Sequence, residues 1–149
     1  MDLTIFLKNL PAFEDFSPPQ LQAFAALLTV QEHAAGHVFI RQGEHGQALY
    51  FLLRGMVRIT RHDPDGVEYE LREVCDGELF GILSLVDDLP ASATCTAVVP
   101  GQTASLSREA FAQVFNEVSP IGRHLQYMIA VQMARDLQEA NRDLRKSIS

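Results

Sequence analysis

Basic residues are scarce in this chain. Its 149 residues hold 12 Lys and Arg against 19 Asp and Glu, a net charge of −7. A nucleic-acid surface needs clustered Lys and Arg to displace counterions from phosphates, so this chain alone is not expected to bind nucleic acid. Cysteine is scarcer still: Cys75 and Cys95 are the only two, and no CxxC pair exists. Two thiols build no metal cluster by themselves. Both sit in apolar, strand-like stretches, so both are expected to be buried and free, as suits a reducing cytoplasm. No run reaches the roughly 18 apolar residues of a membrane span. The opening MDLTIFLKNL has no basic segment leading into a long apolar one, so neither membrane insertion nor a signal peptide is expected. Internal repeats, low-complexity segments and linkers are missing too. Ser84, Ser92 and Ser105 have no His–Asp arrangement to serve, and no G-x-S-x-G occurs; the expectation is a protein that is not an enzyme.

The most pointed absence lies between Gly81 and Thr94. That stretch contains no Arg, Lys or Glu, and its only charges are Asp87 and Asp88. Yet a glycine turn, a short helical turn, Pro90 and a following strand give it the outline of a phosphate-binding loop.

What is present fits one domain, residues 1–149, with enough apolar content (47%) for a sizeable core. Ser17-Pro18-Pro19 opens a helix, with Ser17 as cap and proline tolerated in the first turn. Leu21, Phe24, Ala25, Leu27 and Leu28 recur at helical spacing, and the helix is expected to fade near Val30. From His33 glycines recur at short intervals. Between them, strands are expected at His37–Arg41, Ala48–Leu53, Met56–His62, Val67–Val74, Thr94–Val99 and Thr103–Ser107. Asp63-Pro64-Asp65-Gly66 is a hairpin turn. Ser107 caps a helix whose inner face is Phe111, Val114 and Phe115. Ser119-Pro120 starts the longest helix, reaching about Lys146. Its apolar Ala130, Met133, Leu137, Ala140 and Leu144 step by three and four, as in a heptad seam. The fold class is mainly β with flanking helices. It divides into N-terminal helices (1–32), a β-barrel (33–107) with a cassette-like loop (80–94), and C-terminal helices (108–149).

These residues resemble the cyclic-nucleotide-binding domain, specifically the sensory half of Crp/Fnr-type bacterial regulators. Leu10-Pro11-Ala12-Phe13 is similar to the family's opening motif. Gly36, Gln42-Gly43-Glu44 and Gly46 resemble its first glycine turns, and Leu49–Gly55 its central strand. Asp76-Gly77-Glu78-Leu79-Phe80-Gly81 resembles the lead into its phosphate cassette. Gln132-Met133-Ala134-Arg135 with Leu137-Gln138 resembles the dimer helix of the catabolite activator. The resemblance implies a double-stranded β-helix, jelly-roll-like, followed by a long C-terminal dimerisation helix.

In the family a cyclic phosphate sits at the start of a short cassette helix. There an Arg grips the phosphate and a Glu accepts from the ribose, in the pattern F-G-E … P-R-[SA]-A-T. Phe80, Gly81, Pro90, Ala93 and Thr94 match in register. The Glu position is Ile82 and the Arg position is Ala91. Losing both contacts costs about 3–6 kcal/mol, roughly two to four decades of affinity. The resemblance therefore implies a degenerate site of Phe80, Gly81, Ile82, Leu83, Ala91, Ser92, Ala93 and Thr94, and no binding of cyclic AMP or cyclic GMP in the usual way. A different small ligand on the loop amides, Ser92 and Thr94, or a protein partner, stays open. The dimer helix carries Ala130, Met133, Leu137, Ala140, Asn141 and Leu144. Ala140 and Asn141 stand where the catabolite activator has base-contacting hydroxyls.

The five histidines, His33, His37, His45, His62 and His124, form no metal or haem ligand set, so no metal and no haem is expected. Glu68, Glu70, Arg72 and Glu73 read as a solvated strand face, and Arg54, Arg58 and Arg61 as exposed. The function expected is a cytoplasmic, homodimeric regulatory module. The alternative is the effector-binding half of a DNA-binding regulator of the same family, ahead of its helix-turn-helix.

Overall fold

A computed structural model describes residues 3–9, 13–82, 85, 89–116 and 120–148, with the backbone alone at 115, 116, 120, 139, 140, 143, 147 and 148. Two short helices, α1 (Leu3–Lys8) and α2 (Pro18–Ala25), come first. Among the described residues, eight strands follow: β1 (Thr29–His33), β2 (Val38–Ile40), β3 (Ala48–Arg54), β4 (Val57–His62), β5 (Glu68–Val74), β6 (Leu79–Phe80), β7 (Thr94–Ala97) and β8 (Gly101–Ser107). The chain closes with α3 (Arg108–Asn116) and the long α4 (Pro120–Ile148).

The strands make two four-stranded antiparallel sheets. Sheet A runs β1-β8-β3-β6 and sheet B runs β2-β7-β4-β5. The jelly-roll-like arrangement is as expected, but as two open sheets rather than one closed barrel. β3, ALYFLLR, explains the layering. It is apolar without alternation because both its faces are covered. Leu49, Phe51 and Leu53 pack against the helices, while Leu52 packs toward sheet B. The helix-side cluster gathers Phe13, Phe16 and Phe24, Phe111 and Val114 of α3, and Leu125, Met128 and Ile129 of α4. Phe51, with no exposed surface, meets Phe24 edge-on at 5.9 Å.

Local chemistry sets several boundaries. Ser17 caps α2 in a reciprocal box with Gln20, worth about 1 kcal/mol. Ser107 accepts from the Ala110 N–H at the head of α3. In the β4–β5 hairpin, Asp63 Oδ1 accepts from the Asp65 and Val67 N–H groups, and Gly66 takes φ 84°.

Four expectations are corrected. α2 stops at Ala25, with Leu27 38% exposed, because the chain must turn into β1. β1 itself was not expected: it is an edge strand whose first four residues are exposed, so it has no apolar alternation. The two-residue β6 was not expected either. Cys75 lies past the end of β5 and is exposed, whereas Cys95 is buried; both are free.

Candidate functional site

β6 delivers the chain to Gly81, which has φ 85°. A Cβ there would stand 2.7 Å from Ile40 Cδ1 and 3.2 Å from the Ala48 carbonyl, so glycine is required by space as well as by backbone. The next side chain, Ile82, is 6% exposed and joins the helix-side cluster with Leu85. The Leu85 N–H donates to the Ile82 carbonyl. Leu83, Ser84, Asp87 and Asp88, like Leu10-Pro11-Ala12 and Ser119, lie outside the described residues.

At the far end of the loop, Ala91 is fastened by its own backbone. Its carbonyl accepts from the Gly43 N–H and its N–H donates to the Glu44 carbonyl, both at 2.8 Å. Its methyl group lies in the inter-sheet cluster. Ser92 is exposed, and Ala93 and Thr94 are half-buried. Thr94 Oγ1 accepts from the Gln42 N–H at 3.0 Å. The Gln42 side chain is bonded in turn to both backbone groups of His62. The Gln42-Gly43-Glu44 turn thus clamps the loop to sheet B. The Ala91 amide and the Thr94 hydroxyl, which sequence leaves free for a ligand, are engaged inside the protein.

Between the sheets the core changes character. Phe80 stacks on Tyr50 at 4.9 Å with nearly parallel rings, and Phe39 meets both edge-on. Burial raises the Tyr50 pKa, with Cys95 adding to it. Burial pushes the Cys95 thiol up to about 12, against the pull of the Arg72 charge. Cys95 is therefore a neutral thiol at ordinary pH. Arg72 is the surprise of this layer. Its side chain is 12% exposed, not part of a solvated face, although Glu68, Glu70 and Glu73 are exposed as expected. A bulge between Ile59 and Thr60 breaks the alternation of β4–β5, and no residue signal marks it.

On α4 the outward face is Tyr127, Ala130, Ala134, Leu137, Asn141 and Leu144, all exposed and spaced three and four apart. Leu137 and Leu144 are 63% and 58% exposed. Met133, expected on this seam, instead packs on the helix-side cluster of its own domain. Ala134 takes its place. The Ala140 side chain lies outside the described residues. Among the described residues, no group of three or more His, Cys, Asp and Glu is arranged for a metal. No described helix is long and apolar enough to cross a membrane.

A jelly roll with a glycine-led cassette and a trailing helix is the architecture of a nucleotide-sensing regulatory domain. The family profile "cyclic nucleotide-binding domain" matches residues 30–118, and the chain belongs to that family. It is 30% identical over 138 residues to the cyclic AMP receptor protein of Thermus thermophilus, covering 93% of this chain and 62% of the relative. The catabolite activator protein structure from that organism superposes with TM-score 0.74 at 31% identity, over 91% of this chain and 62% of the other. The sensor domain of the transcriptional regulator DNR from Pseudomonas aeruginosa gives TM-score 0.70 at 29% identity, over 91% of both chains. The chain thus spans under two thirds of the length of the full regulator it matches. Its homologues are Crp/Fnr-type regulators and kinase regulatory subunits, which are not enzymes.

Proposed function

We propose that this chain is a non-catalytic, cytoplasmic, homodimeric sensor module that does not grip cyclic AMP or cyclic GMP through the family's polar contacts. The observation that carries this reading is the pair of cassette positions. Ala91, where the family has its phosphate Arg, offers a methyl group to the inter-sheet cluster. Ile82, where the family has its ribose Glu, points into the helix-side core. Calorimetry with both nucleotides tests it. No saturable binding is expected for the native chain, and micromolar affinity overturns the reading. Ala91→Arg should gain measurable affinity. Adding Ile82→Glu is a poorer test, since it forces a carboxylate into an apolar cluster.

The dimer is supported by the outward apolar stripe of α4, whose three–four spacing suits a second copy of the same helix. Leu137→Asp should convert a sedimenting dimer to monomer at tens of micromolar without unfolding it; a native chain already monomeric there removes the proposal. A second reading, the effector half of a DNA-binding regulator, is favoured by the 62% coverage of the Thermus protein. A helix-turn-helix in frame after Ser149 supports it, and a stop codon there ends it.

A further inference from the structure

Arg72 stands at the open side of the sandwich. It lies on β5, the edge of sheet B, opposite Ile59 of β4, which is opposite Cys95 of β7. Directly paired residues of an antiparallel ladder share a face. Arg72 therefore leaves the sheet on the face that carries Cys95, toward the space between the sheets. A guanidinium so enclosed needs partners, and it has three. Its Nη2 donates to the Leu79 carbonyl at 3.4 Å, its Nη1 lies 3.6 Å from Glu78 Oε2, and its Nε lies 3.2 Å from Asp136 Oδ1. Leu79 belongs to β6, the edge of sheet A, and Asp136 to α4. One side chain thus ties together sheet B, sheet A and the long helix.

The helix end of this tie is prepared for its task. Gln132, 3% exposed, donates from Nε2 to Asp136 Oδ1 at 3.1 Å and holds the carboxylate in place. The Asp136 side chain is itself 43% exposed. A half-exposed carboxylate is a modest partner. A phosphate offers guanidinium two parallel bonds and more charge. With Ala91 at the cassette's Arg position, Arg72 is a cation that sheet B directs at the inter-sheet space.

We propose that Arg72 is the anion-recognising residue of this domain and that Asp136 is its built-in stand-in. A phosphodiester ligand lodging at the β5–β6 side takes the guanidinium from Asp136 and releases the hold on α4. Leu137 follows Asp136 directly and Asn141 lies just over one turn further along the same helix, so the release acts on the dimer face. This inference rests on the reading of the domain as a sensor with an altered cassette, and it names the charge that replaces the missing one. A ligand shifts the helix only by as much as it prefers the released state.

The test uses the full chain, with cyclic AMP, cyclic GMP and cyclic di-GMP as phosphodiester probes and adenosine and guanosine as uncharged controls. Asp136→Asn removes the competing carboxylate at a half-exposed position. It should bind at least one phosphodiester about tenfold or more tighter than the native chain, and neither nucleoside. Arg72→Gln in the same background should abolish that binding. Without ligand, Asp136→Asn should speed amide exchange along residues 127–146. Silence of Asp136→Asn toward all three probes overturns the inference, as does binding that persists in Arg72→Gln. Micromolar binding of cyclic AMP by the native chain that Arg72→Gln abolishes would sink the proposed loss of nucleotide grip while supporting Arg72. Silence of every variant does the reverse.

Discussion

The two faces of sheet A meet different company. Toward the helices, Phe51, Leu49, Leu106 and Ala104 join Phe, Leu, Ile, Val and Met side chains, with the His124 ring edge-on to Phe16 at 4.5 Å. Toward sheet B, the layer holds Tyr50 with its hydroxyl, Cys95 with its thiol and, at its open side, Arg72. The first layer is mainly packed, with the His124 ring beside it; the second can also be titrated, bonded or displaced. A domain that reads a ligand needs both: a frame that does not answer to chemistry, and one interior face that does. The strand β3 separates them: Leu49, Phe51 and Leu53 face the helices, and Tyr50 and Leu52 face sheet B.

Truncating the frame is the harshest way to test this division. Phe51→Ala removes a fully buried ring and should cost about 3–5 kcal/mol in urea denaturation. A loss below about 1 kcal/mol would mean that the helix layer is not the stabilising one. The reactive side answers to pH more gently. At the rim of the sandwich, His33 has both ring nitrogens buried without a hydrogen-bond partner. Its pKa is lowered by burial, then by the charges of His37 and Arg54. The unfolded chain takes up this proton near the ordinary value of 6.5, the folded chain only below it. Stability from this site is therefore complete above that value and falls as pH drops toward the lowered folded pKa. His33→Phe keeps an aromatic ring beside Phe39 and should flatten the fall. Melting temperatures that drop equally on acidification in both proteins would discard the effect.

Punctuated and periodic parts of the fold were legible from residues alone. Ser17-Pro18-Pro19, Asp63–Gly66 and the three–four steps of α4 each state a local geometry in their own side chains. What escaped depends on partners far along the chain. β1 reads as the tail of a helix because its strand character comes wholly from pairing with β8. Met133 and Ala134 are both compatible with the outward stripe, and only contact with the domain decides which one faces outward. At the cassette, the identity of Ile82 and Ala91 could be read, but not that they face opposite layers. The inward turn of Arg72 was hidden by a bulge that inserts one residue and re-aims the strand.

The pairing of β1 with β8 also has a consequence in time. Thr29 lies opposite Ser105, so the first strand made waits for the last before it has a neighbour. Sheets built on such distant pairings form over roughly milliseconds to seconds, because the intervening chain must be ordered first. Throughout that wait β1 is an unpaired edge, the kind of segment that joins other chains. Its Gln31, Glu32 and His33 make it a poor template for them. The polarity that hid this strand from sequence reading is what lets it stay alone until its partner arrives.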